Sequence, residues 1–448
     1  GGAGNDTFNI DSGTDSISDL DGSDILVVSS GATVNATSIS SFTATSGTSN
    51  AGTANLTASN SGSTINMSSS ASGAYTITGG AGKDYVTGGN GVDTINTGNN
   101  EDTITGGAGD DIITGGSSND IFNIDSGEDT VNDLTTGDVF VVSAGATLNA
   151  INVTNFIANS SSKNEHATGT AKLTAKASTT SVIKMNNAGA GKYNLVAGSG
   201  TDTLWGGSSD DIITIAASGQ GDADTIDGYG GTDILQLSSG THTFTTDDNM
   251  IQNVEEVKVD NASGSTVDLT GQTEGFTITV GAATDSITGS DGDDIITIVG
   301  NGEGDNDTLI GGAGNDVLQL FTGTHTFSNN NNLATVETIT ANASGSTLVL
   351  TNQLEGFTIQ GGAAADDLTG GSGDDIITGG GGGDTLKGGA GNDTFTGGAD
   401  NDTFNVDAGS DTIADLATGD DLVVTSGATA TANNVSAFVA DSDTTNAG

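Results

Sequence analysis

The sequence predicts an all-β chain wound as a parallel β-roll, that is, a β-solenoid, and three observations carry the prediction. A nine-residue unit recurs in register along the chain, and repeats of fixed short period mark stacked coils. Hydrophobic residues make up 33% and aromatics 4% of the 448 residues, which suits a thin core and not a thick one. Proline and cysteine are both absent, so the turns rest on the 72 glycines and no disulfide staples the chain.

The repeat is clearest from Gly79, where blocks of nine read GGAGKDYVT, GGNGVDTIN, TGNNEDTIT, GGAGDDIIT, GGSSNDIFN and IDSGEDTVN. A second long run starts at Gly361 with GGAAADDLT, GGSGDDIIT, GGGGGDTLK, GGAGNDTFT, GGADNDTFN and VDAGSDTIA. Shorter pairs begin at Ala197, Gly219, Val280 and Gly302, and one block opens the chain at Gly1. Each block carries Asp at the sixth position and an aliphatic residue or Phe at the eighth.

Nine residues make a turn plus a short strand. Glycine permits the tight, positive-φ turn and leaves backbone carbonyls bare. The sixth-position Asp adds a carboxylate to those carbonyls, giving a hard, all-oxygen cage of the kind Ca2+ takes, with about 6–8 oxygens. The last residues, such as Thr103-Ile104-Thr105, form a strand whose central side chain alone points inward. The candidate metal ligands are Asp6, Asp84, Asp93, Asp102, Asp111, Asp120, Asp202, Asp211, Asp224, Asp233, Asp285, Asp294, Asp307, Asp316, Asp366, Asp375, Asp384, Asp393 and Asp402. Blocks that depart from the pattern, at Thr97-Gly98-Asn99-Asn100 and Ser208-Ser209, are expected to be weak or vacant sites.

These blocks resemble the RTX (repeats-in-toxin) nonapeptide family, GGxGxDxUx, over somewhat under half of the chain. The resemblance implies a parallel β-roll in which two nonapeptides make one coil, with calcium between successive turns. It also implies a secreted bacterial protein, exported by type I secretion and folding when it meets extracellular calcium.

The segments between the runs are themselves repeated. FNIDSGTDSISDL from Phe8 returns as FNIDSGEDTVNDL from Phe122 and FNVDAGSDTIADL from Phe404, while LQLSSGTHTF from Leu235 returns as LQLFTGTHTF from Leu318. Their Thr, Ser and Val alternate with period two, which reads as strands that continue the stack. Each leads back to the repeats through a block with an aromatic at the Asp position: Tyr75, Tyr193, Phe276 or Phe357. Short helical turns are expected only near Thr37–Phe42, Asn152–Phe156 and Asn433–Phe438. The resulting organisation alternates repeat blocks (1–18, 79–132, 197–236, 280–319, 361–414) with β-rich linker modules (19–78, 133–196, 237–279, 320–360, 415–448).

Charge sets the partners. Fifty-eight acids against eight cations give a formal −50, which disfavours nucleic acid and anionic membrane, and no apolar run of 18 residues exists to insert into one. One divalent ion per block over nineteen blocks would return about +38. Asp110, Asp210, Asp293 and Asp374, at the fifth position, read as surface charge. His242 and His325, each in GTHTF, read as strand-surface residues, and His166 as loop. Glu255 and Glu256 form a possible acid pair, but the second copy keeps only Glu337. A Thr ladder for ice is disfavoured because Ala313 and Asn315 stand in the turn where a Thr-x-Asn row would run.

No catalytic motif emerges, so the chain is expected not to be an enzyme. The expected function is a calcium-rigidified structural array of a secreted bacterial surface protein, whether S-layer, extracellular filament or fibrillar adhesin. It would self-associate into a fibre or surface array, with cell-surface polysaccharide as a further partner. The alternative is the folding and secretion module of an exoenzyme or toxin, with the catalytic domain outside this window. Residue 1 lies inside a repeat, which suggests a piece of a longer tandem array.

Overall fold

The computed structural model describes residues 1–165, 169–216, 223–245, 248–259, 263–300, 306–321, 323–341, 344–435, 437–440 and 443–448. Every registered strand pair is parallel, and the described residues contain no α-helix. The fold is a β-solenoid, in two compact units: residues 1–216 with 223–234, and a second unit made chiefly of 235–448.

In the first unit the chain winds back and forth between two faces. On one face Tyr85–Thr87 bonds to Thr103–Thr105 and that strand to Ile121–Ile124; on the other Thr94–Asn99 bonds to Ile112–Ser117. Period-two alternation turns one residue of each short strand inward. The inward residues stack as columns, Val86↔Ile104↔Phe122↔Phe140 on one face and Ile77↔Ile95↔Ile113↔Val131 on the other. All are essentially inaccessible to solvent. One apolar side chain per nine residues thus suffices, because each is covered above, below and from the facing sheet.

The linker modules continue these ladders. The column runs on through Val131↔Ala150↔Leu173↔Leu195↔Ile213, so residues 133–196 stack on the repeats without a break. The register pairs each strand with its neighbours in chain order, which makes this face an open ladder and not a closed cylinder. Aromatic rings widen the linker core: Phe140 lies 5.7 Å from Phe156 and 6.3 Å from Tyr193, centroid to centroid. The second unit repeats the scheme, with Val257↔Ile278↔Ile296↔Leu318↔Ile339↔Ile359↔Ile377↔Phe395↔Ile413 on one face.

Two expectations are corrected. Among the described residues the helical turns are absent: Thr33–Ile39, with Ser38 at φ 62°, and Ser41–Thr43 are strands, as are Thr147–Val153, with Asn152 at φ 58°, and Asn155–Ile157. A single left-handed residue bends the strand where a helix turn was expected. The segment at 433–438 has Asn434 at φ 55°, and its Ser436 lies outside the described residues.

The two GTHTF histidines are core residues and not surface ones. His242 heads the inward column His242↔Val267↔Ile287, and His325 heads His325↔Leu348↔Leu368. Both are fully buried. Strand parity decides this: the flanking Thr residues take the outward positions, and each imidazole Nε2 reaches a carbonyl, Ser238 O at 2.8 Å and Phe321 O at 3.2 Å. His166 lies outside the described residues.

The fifth-position acids are exposed but not idle. Asp110, Asp293 and Asp374 accept hydrogen bonds from the backbone N–H of Glu128, Asn315 and Asn392 in the next coil at 2.9, 2.8 and 2.7 Å. Asp210 accepts from Thr232 at 3.1 Å and pairs with Lys192 at 3.0 Å.

Candidate metal centres in the turns

Every sixth-position Asp predicted as a ligand lies in the turn before a strand, and all but the half-buried Asp6 are buried. Apart from Asp6, one oxygen of each is spent on the backbone. Asp102 Oδ1 accepts from Asp84 N at 2.7 Å, and the chain of bonds continues from Asp102 N to Asp120 and from Asp120 N to Asp138 at 2.8 Å each. The same stitch joins Asp366, Asp384 and Asp402, and Asp375, Asp393 and Asp411. Coils are 18 residues apart in these long runs. They are 22 apart between Asp202 and Asp224, Asp211 and Asp233, Asp285 and Asp307, and Asp294 and Asp316, so four inserted residues per coil leave the stitch intact.

The aromatics at the Asp position occupy the same stitch. Tyr75, Tyr193, Phe276 and Phe357 each donate their N–H to the second sixth-position Asp of the following run (Asp93, Asp211, Asp294 and Asp375) at 2.7 Å. They lack a carboxylate and instead fill the coil with a buried ring, as expected where apolar contact replaces an ion.

The second oxygen, Oδ2, points over the first glycine of its own block. A side chain at Gly88 would collide with the Gly106 carbonyl oxygen of the next coil and stand 2.6 Å from Asp93 Oδ2. A side chain at Gly361 would meet the Gly379 carbonyl and lie 2.7 Å from Asp366 Oδ2. The glycine therefore keeps open a cradle into which a carboxylate and a carbonyl both aim. At Gly106 two carboxylates converge: Asp111 Oδ2 and Asp129 Oδ2 fall 2.5 and 2.9 Å from the point a Cβ would occupy. Acceptors that face one another with no hydrogen between them repel unless a cation separates them.

Donors reach only some of these oxygens. In the opening coils of the runs from Gly79, Ala197 and Gly361, Oδ2 accepts from the second-position N–H of its own turn: Gly89 to Asp93 at 2.5 Å, Gly198 to Asp202 at 2.7 Å, Gly362 to Asp366 at 2.7 Å and Gly371 to Asp375 at 2.8 Å. In the run from Val280, Asp294 Oδ2 accepts from Ser290 N at 2.6 Å, while Asp285 Oδ2 is buried without a partner. In later coils the turn is flipped. Gly107 adopts φ 104° and Gly389 φ 101°, and their N–H groups bond to Asp125 and Asp407 of the coil above at 3.1 Å. Oδ2 of Asp111, Asp129, Asp316, Asp384, Asp393 and Asp411 is then buried without a hydrogen-bond partner. A buried carboxylate oxygen left so is costly, and the cost is relieved by a proton or a metal ion.

The titration of these groups reflects that environment. Burial pushes Asp111, Asp129 and Asp393 up to about 7, with neighbouring carboxylates adding to the shift. Asp93 is raised to about 6 by burial, and the N–H bonds from Gly89 and Tyr75 hold it lower. Among the described residues no three His, Cys, Asp or Glu side chains converge on one point. A cation in these turns would be held by one or two carboxylates and by carbonyls, the donor set of a hard ion.

The departing block changes one cradle group. At Thr97, which replaces the first glycine, the hydroxyl donates to Gly115 O at 2.9 Å, taking up a carbonyl of the next coil. Sequence reading missed five buried Asp residues in the same register. Asp129 and Asp411 lie in blocks without leading glycines. Asp24, Asp138 and Asp420 stand one block further on, and counting nines past the last glycine finds all three. Those three differ chemically, because protein donors satisfy both oxygens. Asp138 Oδ1 accepts from Asp120 N at 2.8 Å and Oδ2 from Thr135 N at 2.7 Å, and Asp24 and Asp420 repeat the pattern. Glu337 was also missed as a stand-in: its Oε2 accepts from Asp316 N at 2.7 Å, where a sixth-position Asp would otherwise bond.

Fold and turns together define a β-roll whose successive turns present oxygen cradles to one another. The family model of the RTX calcium-binding nonapeptide repeat matches residues 76–104, 96–131, 194–214, 217–241, 277–297, 301–320, 358–386 and 378–413. The chain belongs to this RTX calcium-binding repeat family. No curated protein sequence matches it.

Proposed function

We propose that this chain is a calcium-rigidified structural region of a large secreted bacterial surface protein, an S-layer, filament or fibrillar adhesin component. Calcium would be held by Oδ2 of the sixth-position Asp residues with the carbonyls that cross the first glycine, and by Asp129 and Asp411 in addition to the residues predicted from sequence. When bound, it would supply the positive charge that the facing oxygens lack.

One observation carries the structural reading. The linkers stack on the repeats strand by strand, as in Val131↔Ala150↔Leu173↔Leu195 in the first unit, so among the described residues the ladder passes from repeat to linker and on. A chain that devotes its linkers as well as its repeats to one ladder suits span and stiffness better than chemistry. No helix of the described residues is long and apolar enough to cross a membrane. The test is electron microscopy of the calcium-loaded protein. Ordered sheets or fibres are expected; monodisperse single particles at high concentration would count against assembly, and a catalytic domain in the same gene would favour an exoenzyme module.

A further inference from the structure

In a chain of formal charge −50, one strand face of the second unit carries no charge over eight successive strands. Its outward residues form two columns. One runs from Thr277 through Ile295 and Ile376 to Thr412, and every member is Thr, Ile or Val. The other runs from Thr279 to Thr396, and every member is Thr or Gln. Ile295 and Ile376 are 39% and 53% exposed, so neither aliphatic is covered within its own coil. Charge returns at the limits of this face. Glu256 and Lys258 stand on the adjoining strand, and the opposite sheet of the same unit carries Asp367, Lys387 and Asp421. The matching column of the first unit holds Asn35, Asn55 and Asn149 and is broken by Lys172, so it is more polar.

Two physical arguments choose the occupant. Copies of so acidic a chain repel wherever acids face acids, and this face lets two of them approach without opposing like charges. The spacing argues for the same chain as partner. Strands stand about 4.8 Å apart in both copies, so the rungs of one ladder fit between those of an identical ladder along its whole length. Ile, Val and the Thr methyls then leave water, while Thr hydroxyls and Gln amides both donate and accept and so pair with their own kind. The face is about 34 Å long and about 10 Å wide. Each copy therefore offers about 340 Å², less than half of the about 800 Å² per partner in a stable complex, so a single contact is weak and reversible.

We propose that the uncharged face from Thr277 to Thr412 packs on the same face of a second copy of this chain, sheet against sheet about 10 Å apart, as an isologous contact. The proposal rests on the structural-array reading and supplies one of its contacts.

The test is sedimentation velocity of the whole chain in calcium over a concentration series. The parent is compared with T358E/I376E, which charges the face, and with T385E, which puts the same charge outward on the opposite sheet; circular dichroism verifies the fold of each. The parent is expected to associate reversibly, T358E/I376E at least tenfold more weakly, and T385E like the parent. Raising the salt should leave the parent's association intact or strengthened, since screening relieves the acids at the margins. If T358E/I376E associates as the parent does, this contact is overturned and the array reading stands. A parent that stays monomeric in calcium overturns both. Thermal hysteresis and chitin pull-down probe other occupants: loss of either in T358E/I376E with self-association unchanged gives the face to ice or to a polysaccharide, and the proposal fails.

Discussion

The opening coil of each repeat run and the coils stacked on it share a sequence pattern but not a chemistry. Asp93 and Asp375, in opening coils, satisfy both carboxylate oxygens with N–H groups. Asp111 and Asp393, one coil further on, keep Oδ2 buried and unpartnered. The difference lies in one peptide orientation. Gly89 and Gly371 stay outside the left-handed region and point their N–H groups at their own Asp, whereas Gly107 and Gly389 adopt it and turn theirs to the next coil. Asp93 and Asp375 are thus complete without a metal, whereas Asp111 and Asp393 are built around something that must be supplied. Asp24, Asp138 and Asp420 close the runs as they open, with both oxygens met by protein donors.

The largest effect that would break this contrast is calcium removal. EGTA should convert the β signal in circular dichroism to coil, with hydrogen exchange fastest at coils bearing Asp111 and Asp393 and slower at opening coils. β structure that persists uniformly without calcium would refute it. Next in size is Gly106→Val, which puts a branched side chain between the converging Asp111 and Asp129 carboxylates. A loss of about 1–3 kcal/mol in chemical denaturation with calcium is expected, together with one ion fewer per chain by metal analysis.

A pair of substitutions sharpens the comparison. In calcium-free protein Asp93→Asn should destabilise the fold by about 1 kcal/mol, since the amide cannot accept as the carboxylate does. Asp111→Asn should leave calcium-free stability unchanged or raised, because it removes an uncompensated buried charge. Equal losses at both positions, measured by urea unfolding, would erase the distinction.

Acidity gives a related test. The buried Asp residues have folded-state pKa values raised to about 6 for Asp93 and about 7 for Asp111 and Asp393, above the ordinary 3.8. The folded state therefore holds more protons than the unfolded state between these limits. Calcium-free stability should be fullest below about pH 4 and decline as pH rises toward 7, while calcium affinity climbs over the same interval. A calcium-free midpoint that increases from pH 4 to 7 would contradict the burial of these groups. The smallest effect on metal content is expected at the run ends: Asp138→Ala removes hydrogen bonds worth about 1 kcal/mol each yet should leave the calcium count unchanged.

Much of this was legible in the sequence. The nine-residue register located the strands, the inward Ile104 and Ile113 and the sixth-position Asp residues, because one turn and one short strand admit few other arrangements. The ring at Tyr75, Tyr193, Phe276 and Phe357 announced where apolar stacking replaces the cradle. What local pattern could not convey was the partner of each group. His242 and His325 read as surface residues because nothing nearby in sequence needed them inside; the parity of a strand stacked beneath Val267 and Leu348 buried them. The expected helix turns at Ser38 and Asn152 were single left-handed residues.

The sequence by itself determined the coil, the direction of each side chain and the acidic excess, since all three follow from period and composition. Only the tertiary structure decided which Asp oxygens meet a proton donor and which are buried bare. That depends on the coil 18 or 22 residues away, and on the peptide orientation that the stack selects there.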